Sequence, residues 1–157
     1  GIMDNGRLVQ VDSPRTLYEN PKNRFVADFL GMISFVEGRV TKATSTALVI
    51  DSTPPITAAI DQQRGLASQP EKGAQVTLAI RPEKISLSAV ATGAVNEIPV
   101  IVEDLAYLGV ASNYRVKTAD GQMFKLQQQQ SRRASKPLEW GDAGFIQFDP
   151  ADVIILP

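Results

Sequence analysis

From Ser34 onward the chain alternates between short apolar stretches and turn-forming residues, and this pattern constrains the fold more than any other feature. Residues 75–80, Gln-Val-Thr-Leu-Ala-Ile, place apolar side chains at every second position, and Pro82 ends the run. A period of two is typical of a strand with one buried face. Asp120-Gly121, between two further runs, predicts a tight hairpin. Many short strands separated by turns predict a mainly β fold, either a small barrel or a sandwich.

The predicted strands are residues 35–40, 47–51, 56–60, 75–80, 85–88, 95–105, 113–117, 123–127, 144–148 and 153–156. Pro99 predicts an edge position or a bulge, because proline cannot donate to a strand ladder. Polar residues 61–73 and 127–136 are predicted loops, and Arg132-Arg133 in the second is expected to be solvated. The small residues 89–93 predict an internal joint near 89–94.

The first 31 residues have a different pattern, with signals for a hairpin and for helices. Asn5-Gly6, between Ile2-Met3 and residues 7–11, predicts a hairpin with a two-residue turn. Ser13-Pro14 predicts an N-cap and the first turn of a short helix, which should stop before Pro21. A second helix is predicted from the helical spacing of Phe25, Val26, Phe29 and Leu30, with Gly31 as its C-terminal cap.

Composition excludes several classes of function. There is no cysteine and no histidine among 157 residues, which removes thiolate catalysis, the usual general base and the usual transition-metal ligands. A formal net charge of -1 and an aromatic content of 6% argue against nucleic-acid binding. The phosphate-loop pattern Gly-x4-Gly-Lys-Ser/Thr does not occur. We therefore expect no catalytic residues, no metal site and no cofactor in this chain.

The N-terminal residues resemble the end of the ATPase core of ABC importers. The resemblance rests on Met3–Gln10, Ser13-Pro14, Leu17-Tyr18, Pro21 and Phe25–Gly31. The corresponding family pattern is a Met-x-x-Gly-x-hydrophobic-x-Gln hairpin, a Thr-Pro helix, a Tyr-x-x-Pro turn and a Phe-Val-Ala-x-Phe-hydrophobic-Gly helix. Asp12-Ser13-Pro14 replaces the usual Gly-Thr-Pro and keeps a capping hydroxyl.

The remainder resembles the transport-associated OB module, the TOBE domain, that follows that core. Its landmarks here are Glu37–Val40, Ile80–Ile85, Tyr107–Gly109, Asp120-Gly121 and Asp152–Pro157. The Walker A loop, Walker B acid, signature sequence and switch histidine of the ATPase family are missing from this sequence. The resemblance thus implies two regions: residues 1–31, a C-terminal remnant of the nucleotide-binding domain, and residues 32–157, an OB-like regulatory domain. It also implies that the sequence is a fragment.

The resemblance further implies a regulatory and dimerisation role in the ATP-binding subunit of an importer. The polyamine and ferric-iron subfamily is the nearest in pattern, and Phe35–Gly38 favours polyamines such as spermidine and putrescine. The full protein would bind ATP and Mg, contact transmembrane permease subunits through the missing core, form a homodimer through the regulatory domain and sit on the cytoplasmic face of the membrane. The alternative is a stand-alone β-module that senses a small solute.

Six residues are candidates for ligand contact or for an interface: Arg81, Glu83, Tyr107, Gly109, Phe25 and Phe29. A simpler interpretation makes Arg81-Pro82-Glu83 a strand end with a surface ion pair. Similarly, Tyr107 would be a core aromatic, followed by a glycine required by the backbone. Phe25 and Phe29 would form a packing face for the barrel or for a partner chain. The N-terminal hairpin, without the sheet it would complete, is expected to be disordered, swapped or paired with a neighbour in a crystal.

Overall fold

The structure is a computed structural model that describes residues 1–60, 68–129 and 136–156. The predicted N-terminal elements are confirmed: β1 (Ile2–Asp4), β2 (Arg7–Gln10), α1 (Pro14–Glu19) and α2 (Arg24–Phe29). Asn5 and Gly6 have φ values of 46° and 76°, which is the left-handed pair that a type I′ hairpin turn needs. The Ser13 hydroxyl accepts a hydrogen bond from the Thr16 N–H at 3.1 Å and caps α1.

Ten further strands follow the N-terminal elements. They are β3 (Ser34–Ala43), β4 (Ala47–Ile50), β5 (Ile56–Ala59), β6 (Gln75–Ile80), β7 (Ser86–Ser88), β8 (Asn96–Leu108), β9 (Ala111–Thr118), β10 (Met123–Gln129), β11 (Ala143–Phe148) and β12 (Ile154–Leu156). Short 3-10 turns at Pro82–Lys84 and Pro150–Asp152 precede β7 and β12. The predicted mainly β, OB-like fold is confirmed.

The strands form two curved five-stranded antiparallel sheets. One has the order β10-β9-β8-β11-β7 and the other β12-β6-β3-β4-β5. The predicted loop at 127–136 is wrong in its first part, because Gln127–Gln129 continue β10 and pair with β9. The rest of that loop, including Arg132-Arg133, falls largely outside the described residues, as do residues 61–67.

The prediction for Pro99 needs correction, because β8 is a central strand with its bulge between Val102 and Asp104. Pro99 pairs with Phe145 of β11, whereas the pairing of β8 with β9 begins one residue later, at Val100. The side of β8 that faces β9 is therefore unpaired at Pro99, so the N–H group that proline lacks leaves no gap in the ladder.

One large apolar core fills the space between the two sheets. Leu48, Leu78, Val116 and Ile146 are fully buried in it, and the core draws on residues before and after the small-residue stretch 89–94. Fully burying a side chain of this kind contributes ~1.5–3 kcal/mol relative to leaving it exposed. The division at residue 31 and the joint near 89–94 stay predictions.

Side chains also join the two sheets by bonding to backbone groups across the gap. Asn96, which is 1% exposed, accepts from the Thr57 N–H and donates to the Thr57 carbonyl, both at 2.8 Å. The Asn96 amide therefore makes the two hydrogen bonds to β5 that the backbone of a neighbouring strand would otherwise make. At another point of contact the Ser34 hydroxyl accepts from the Lys125 N–H at 2.8 Å, which connects β3 to β10.

We predict that Asn96→Ala lowers the free energy of unfolding by about 1–3 kcal/mol, because it strips a partly buried N–H and carbonyl of their partners. Urea denaturation measures the change. Asn113→Ala is the matched control, since the Asn113 side chain accepts a hydrogen bond from an exposed glutamine side chain and its loss should shift stability by at most about 0.5 kcal/mol. Equal effects of the two substitutions would contradict the bridging role of Asn96.

A carboxylate organises the chain just before β8. The Thr92 N–H, at 2.6 Å, and the Thr92 hydroxyl donate to Glu97, as do the Gln147 amide and the Gly93 N–H. These hydrogen bonds, first of all that from the Thr92 backbone, lower the pKa of Glu97 from 4.5 to about 2. The ionised form thus holds residues 92–93 against β8 and β11.

The lowered pKa predicts how stability depends on pH. The stabilisation by Glu97 is complete above pH 4.5 and is lost as the pH falls towards about 2. Glu97→Gln should therefore be less stable than the native chain at neutral pH, and the difference should shrink through this acid range. Urea midpoints of both proteins across the pH range test this; a difference independent of pH would contradict it.

Candidate functional site

The most unusual side chain of the barrel is a buried arginine that reaches the N-terminal helices. Arg81 lies between the end of β6 and the 3-10 turn that Pro82 begins, and it is only 3% exposed. Its Nη1 donates to the Ala27 carbonyl at 3.2 Å and its Nη2 to the Tyr18 carbonyl at 3.1 Å. The guanidinium also stacks on the Tyr18 ring, with Cζ 4.0 Å from the ring centroid.

The two acceptors explain why a cation is favourable at this position. Ala27 lies in the last turn of α2 and Tyr18 in the last turn of α1. The final carbonyls of a helix have no partner within the helix and carry the negative end of its dipole. One guanidinium therefore caps the C-terminal ends of both helices. We call Arg81, Tyr18, Ala27 and Glu83 the arginine joint.

Glu83 completes the joint from the solvent side. The Tyr18 hydroxyl donates a hydrogen bond to its carboxylate. Burial and then this hydrogen bond raise the pKa of Tyr18, whereas burial lowers the pKa of Arg81. Arginine nevertheless stays charged in proteins. Its Nε has no hydrogen-bond partner among the described residues, so the side chain depends on the two carbonyls and the aromatic ring.

Apolar and ionic contacts surround the joint. Ala27 packs with Ile33, Ala79 and Leu156 in a small cluster between α2 and the barrel. Arg24 of α2 pairs with Glu37 of β3 at 2.8 Å, and its guanidinium lies 4.4 Å from the centroid of the Phe35 ring. The helices thus contact the barrel through a core, an ion pair and the buried arginine together.

The N-terminal hairpin is attached to the helices. Ile2 packs with Leu17 and Val26 in a third apolar cluster. The Gln10 side chain donates to the Asn20 carbonyl at 3.0 Å and accepts from the Lys22 N–H at 2.7 Å. Pairing or swapping of this hairpin with a neighbour in a crystal stays a prediction.

The structure brings Arg81 and Glu83 together. Part of their simpler interpretation is confirmed, because β6 ends before Pro82, which begins a 3-10 turn. Arg81 is buried and is in no salt bridge of the described residues, so the surface ion pair is wrong. The link between the two residues is Tyr18, which was not among the candidates. Its sequence signals were a place in a short helix and the Tyr-x-x-Pro pattern that it forms with Pro21.

The predicted apolar stripe of α2 is divided between two faces. Val26 and Ala27 are fully buried, whereas Phe25 is 38% and Phe29 66% exposed. The two phenylalanine rings stack on each other with centroids 6.0 Å apart. The barrel therefore does not cover them, because the small Ala27 allows α2 to approach it on a different face.

Tyr107 lies near the end of β8 and Gly109 in the turn between β8 and β9, a different part of the fold from the arginine joint. Gly109 has φ of 71°, so the backbone there does need glycine. Tyr107 is 57% exposed, and its interpretation as a core aromatic is wrong. It stands at the end of a hairpin with exposed Leu108 and Val110.

Within the described residues, no three His, Cys, Asp or Glu side chains are placed to hold a metal ion. No helix in the described residues has the length and apolar character needed to cross a membrane.

Comparisons with known proteins add a family and a set of relatives. The family model described as "TOBE domain" matches residues 78–156. The spermidine/putrescine import ATP-binding protein PotA of Thermobifida fusca is 32% identical over 99% of this chain and 40% of its own length. The putrescine transport ATP-binding protein PotG of Escherichia coli K12 is 33% identical over 99% of this chain and 41% of its own. The chain thus spans about two fifths of the length of these relatives.

The solved structure of the cytoplasmic molybdate-binding protein ModG superposes with a TM-score of 0.65. The match covers 78% of this chain and 95% of that protein at 15% sequence identity. A likeness at this identity supports the architecture of the barrel and carries no statement about its ligand.

The arginine joint makes a prediction about local stability. Arg81→Met removes two charge-assisted hydrogen bonds worth ~1.5–3 kcal/mol each, which should speed amide exchange in α1 and α2 by at least about tenfold. Hydrogen exchange read by NMR at the amides of Leu17 and Ala27 measures it, because both are bonded within their helices.

The control is Arg115→Met, which removes an exposed arginine whose ion pair with Asp104 spans 3.8 Å. It should leave exchange in the helices unchanged. Native-like protection of α1 and α2 in the Arg81 variant would show that the joint does not hold the helices.

Proposed function

The chain belongs to the TOBE domain family, and we propose that it is the C-terminal regulatory and dimerisation part of the ATP-binding subunit of a polyamine importer. The observation that carries this proposal is the extent of the match to PotA and PotG proteins. It covers 99% of the chain and so includes the hairpin and both helices as well as the barrel. The ATP-binding site, Mg and the contacts with permease subunits would belong to the part of those proteins outside this chain.

The arginine joint supports a mechanism for regulation. In the proposed subunit, α1 and α2 are the last elements of the ATP-binding part, and the barrel follows directly. Arg81 fixes the ends of both helices to the barrel with little solvent in between. A displacement of either part would therefore be transmitted to the other instead of being absorbed by a flexible linker.

Catalysis is not part of the proposed role of this chain. Its side chains would instead set how readily two ATP-binding subunits close on each other at the cytoplasmic face of the membrane. Mutual positioning of subunits by a non-catalytic domain needs a rigid attachment and a self-complementary surface. The arginine joint provides the rigid attachment.

We assign the self-complementary surface to the exposed face of α2. Phe25, Phe29 and the following Met32 are 38%, 66% and 52% exposed. A two-fold pair that buries this face from both copies would remove these side chains from water. Static light scattering should give a dimer at high protein concentration for the native chain and a weaker dimer for Phe29→Asp. A strict monomer at every concentration would contradict dimerisation through this chain.

Transport tests the proposal as a whole. We expect the complete importer, with this chain in its ATP-binding subunit, to take labelled putrescine and spermidine into proteoliposomes when ATP is present. Arg81→Met should reduce uptake severalfold while ATP binding is retained, and the control Arg115→Met should behave like the native protein. Uptake of ferric iron in place of polyamines would contradict the proposed substrate. Native uptake by the Arg81 variant would contradict the proposed coupling between the helices and the barrel.

The second candidate function is solute binding by the barrel itself, as a sensor. A 260 Å³ cavity between the loops β4–β5 and β9–β10 supports it.

A further inference from the structure

Strand β8 extends beyond the strand that pairs with it on one side. β11 pairs with β8 only as far as Ile101, and the turn before β11 adds two backbone hydrogen bonds to Val102, both of 2.9 Å. Beyond Val102, β8 pairs with β9, and no other strand of the described residues lies along it. Residues 103–108 therefore form a free strand edge, which we call the β8 edge.

Half of the backbone groups of the β8 edge point away from β9. A two-residue turn joins the two strands, so Leu108 and Ala111 form the first hydrogen-bonded pair and the pairs alternate from there. The backbone groups of Leu105 and Tyr107 therefore point outward. In agreement, the Leu105 N–H donates to the side chain of Asp104 at 2.9 Å. An edge of this kind is a template on which another chain can form a strand.

Large apolar side chains are exposed along the β8 edge and beside it. Tyr107 is 57% and Leu108 56% exposed. Trp140, in the turn that bonds to β8, is 77% exposed, although the turn itself is fixed by the Glu139 N–H, which donates to the Asp142 carboxylate at 2.8 Å. A strand added to this edge would cover aromatic surface, and buried aromatic side chains often dominate the affinity of an interface.

The charges around the β8 edge restrict the kind of partner. The edge, the facing residues 111–115 of β9 and the turn 139–142 together carry four carboxylates and one cation, Arg115. Asp104 pairs with this cation at 3.8 Å, and the remaining carboxylates leave the surface acidic. Lysine and arginine side chains of a partner would be attracted here and could stack on the exposed Trp140 ring, whereas an acidic partner would be repelled.

We infer that the β8 edge binds an extended, basic segment of another protein as an additional strand. The backbone of the segment bonds to Leu105 and Tyr107, and its cationic side chains lie near Glu103 and Trp140. Asp104 then exchanges the Leu105 N–H for a cation of the partner. A segment of about six residues matches the edge, since a strand rises ~3.3 Å per residue. This interaction is separate from solute import and from pairing through α2.

Titration of the full chain with the capped peptide Lys-Val-Lys-Val-Lys-Val, followed by NMR, tests the inference. We expect saturable binding, and at least tenfold weaker binding of the peptide with glutamate in place of lysine. Tyr107→Pro removes an outward N–H without removing a donor to β9, and it should weaken binding of the lysine peptide at least tenfold. The control is Tyr107→Val, which loses the ring but keeps the N–H and should bind within about threefold of the native chain.

Hydrogen exchange separates strand addition from attraction between charges alone. Saturating lysine peptide should slow exchange of the Tyr107 amide at least tenfold and leave that of Val110, in the turn between β8 and β9, unchanged. No binding at millimolar peptide, equal affinity for the glutamate peptide, native affinity in Tyr107→Pro or an unprotected Tyr107 amide would overturn the proposal. The glutamate peptide and the exchange measurement use the native chain, so they decide the question even if the proline variant does not fold.

Discussion

The guanidinium of Arg81 is the group on which the relation between the helices and the barrel depends. A cation removed from water must find acceptors, because the cost of leaving it unpaired exceeds that of most other defects. The acceptors that Arg81 uses lie outside the barrel: both carbonyl groups and the stacking ring belong to α1 and α2. In return, the helices obtain a cap that their own sequences lack, since neither has a basic residue in its last turn. The helices thus supply acceptors for the buried cation, and the barrel supplies the cap for the helices.

Hydrogen bonds from single side chains also fix the two sheets of the barrel relative to each other. Apolar packing fills the space between them, but packing alone does not fix where one sheet lies along the other. Asn96 and Ser34 bond to backbone groups of the opposite sheet, at Thr57 and Lys125, and so define the position. Directional bonds from single side chains therefore set the geometry in both places, while apolar surface supplies most of the stabilisation.

Much of the fold follows from local signals in the sequence, and the site follows only in part. The Asn5-Gly6 turn, the Ser13 cap and the strand at Gln75–Ile80 depend on neighbouring residues alone and were predicted correctly. Arg81 and Glu83 were recognised as candidates, but an arginine before a proline looks like a surface residue. Its burial comes from α1 and α2, which lie far away in the sequence and supply its acceptors. Whether Phe25 and Phe29 face the barrel or a partner chain stayed open for a similar reason, because helical spacing marks a stripe without saying which side meets the barrel.

Through the arginine joint, we expect the N-terminal helices and the barrel to form one rigid body. Nitrogen-15 relaxation of backbone amides measures this directly, by giving a rotational correlation time for each part. We expect the same correlation time for residues in α1 and α2 as for those in β6 and β9. A clearly shorter value for the helices would mean that they move independently, and the arginine joint could not then couple the two parts.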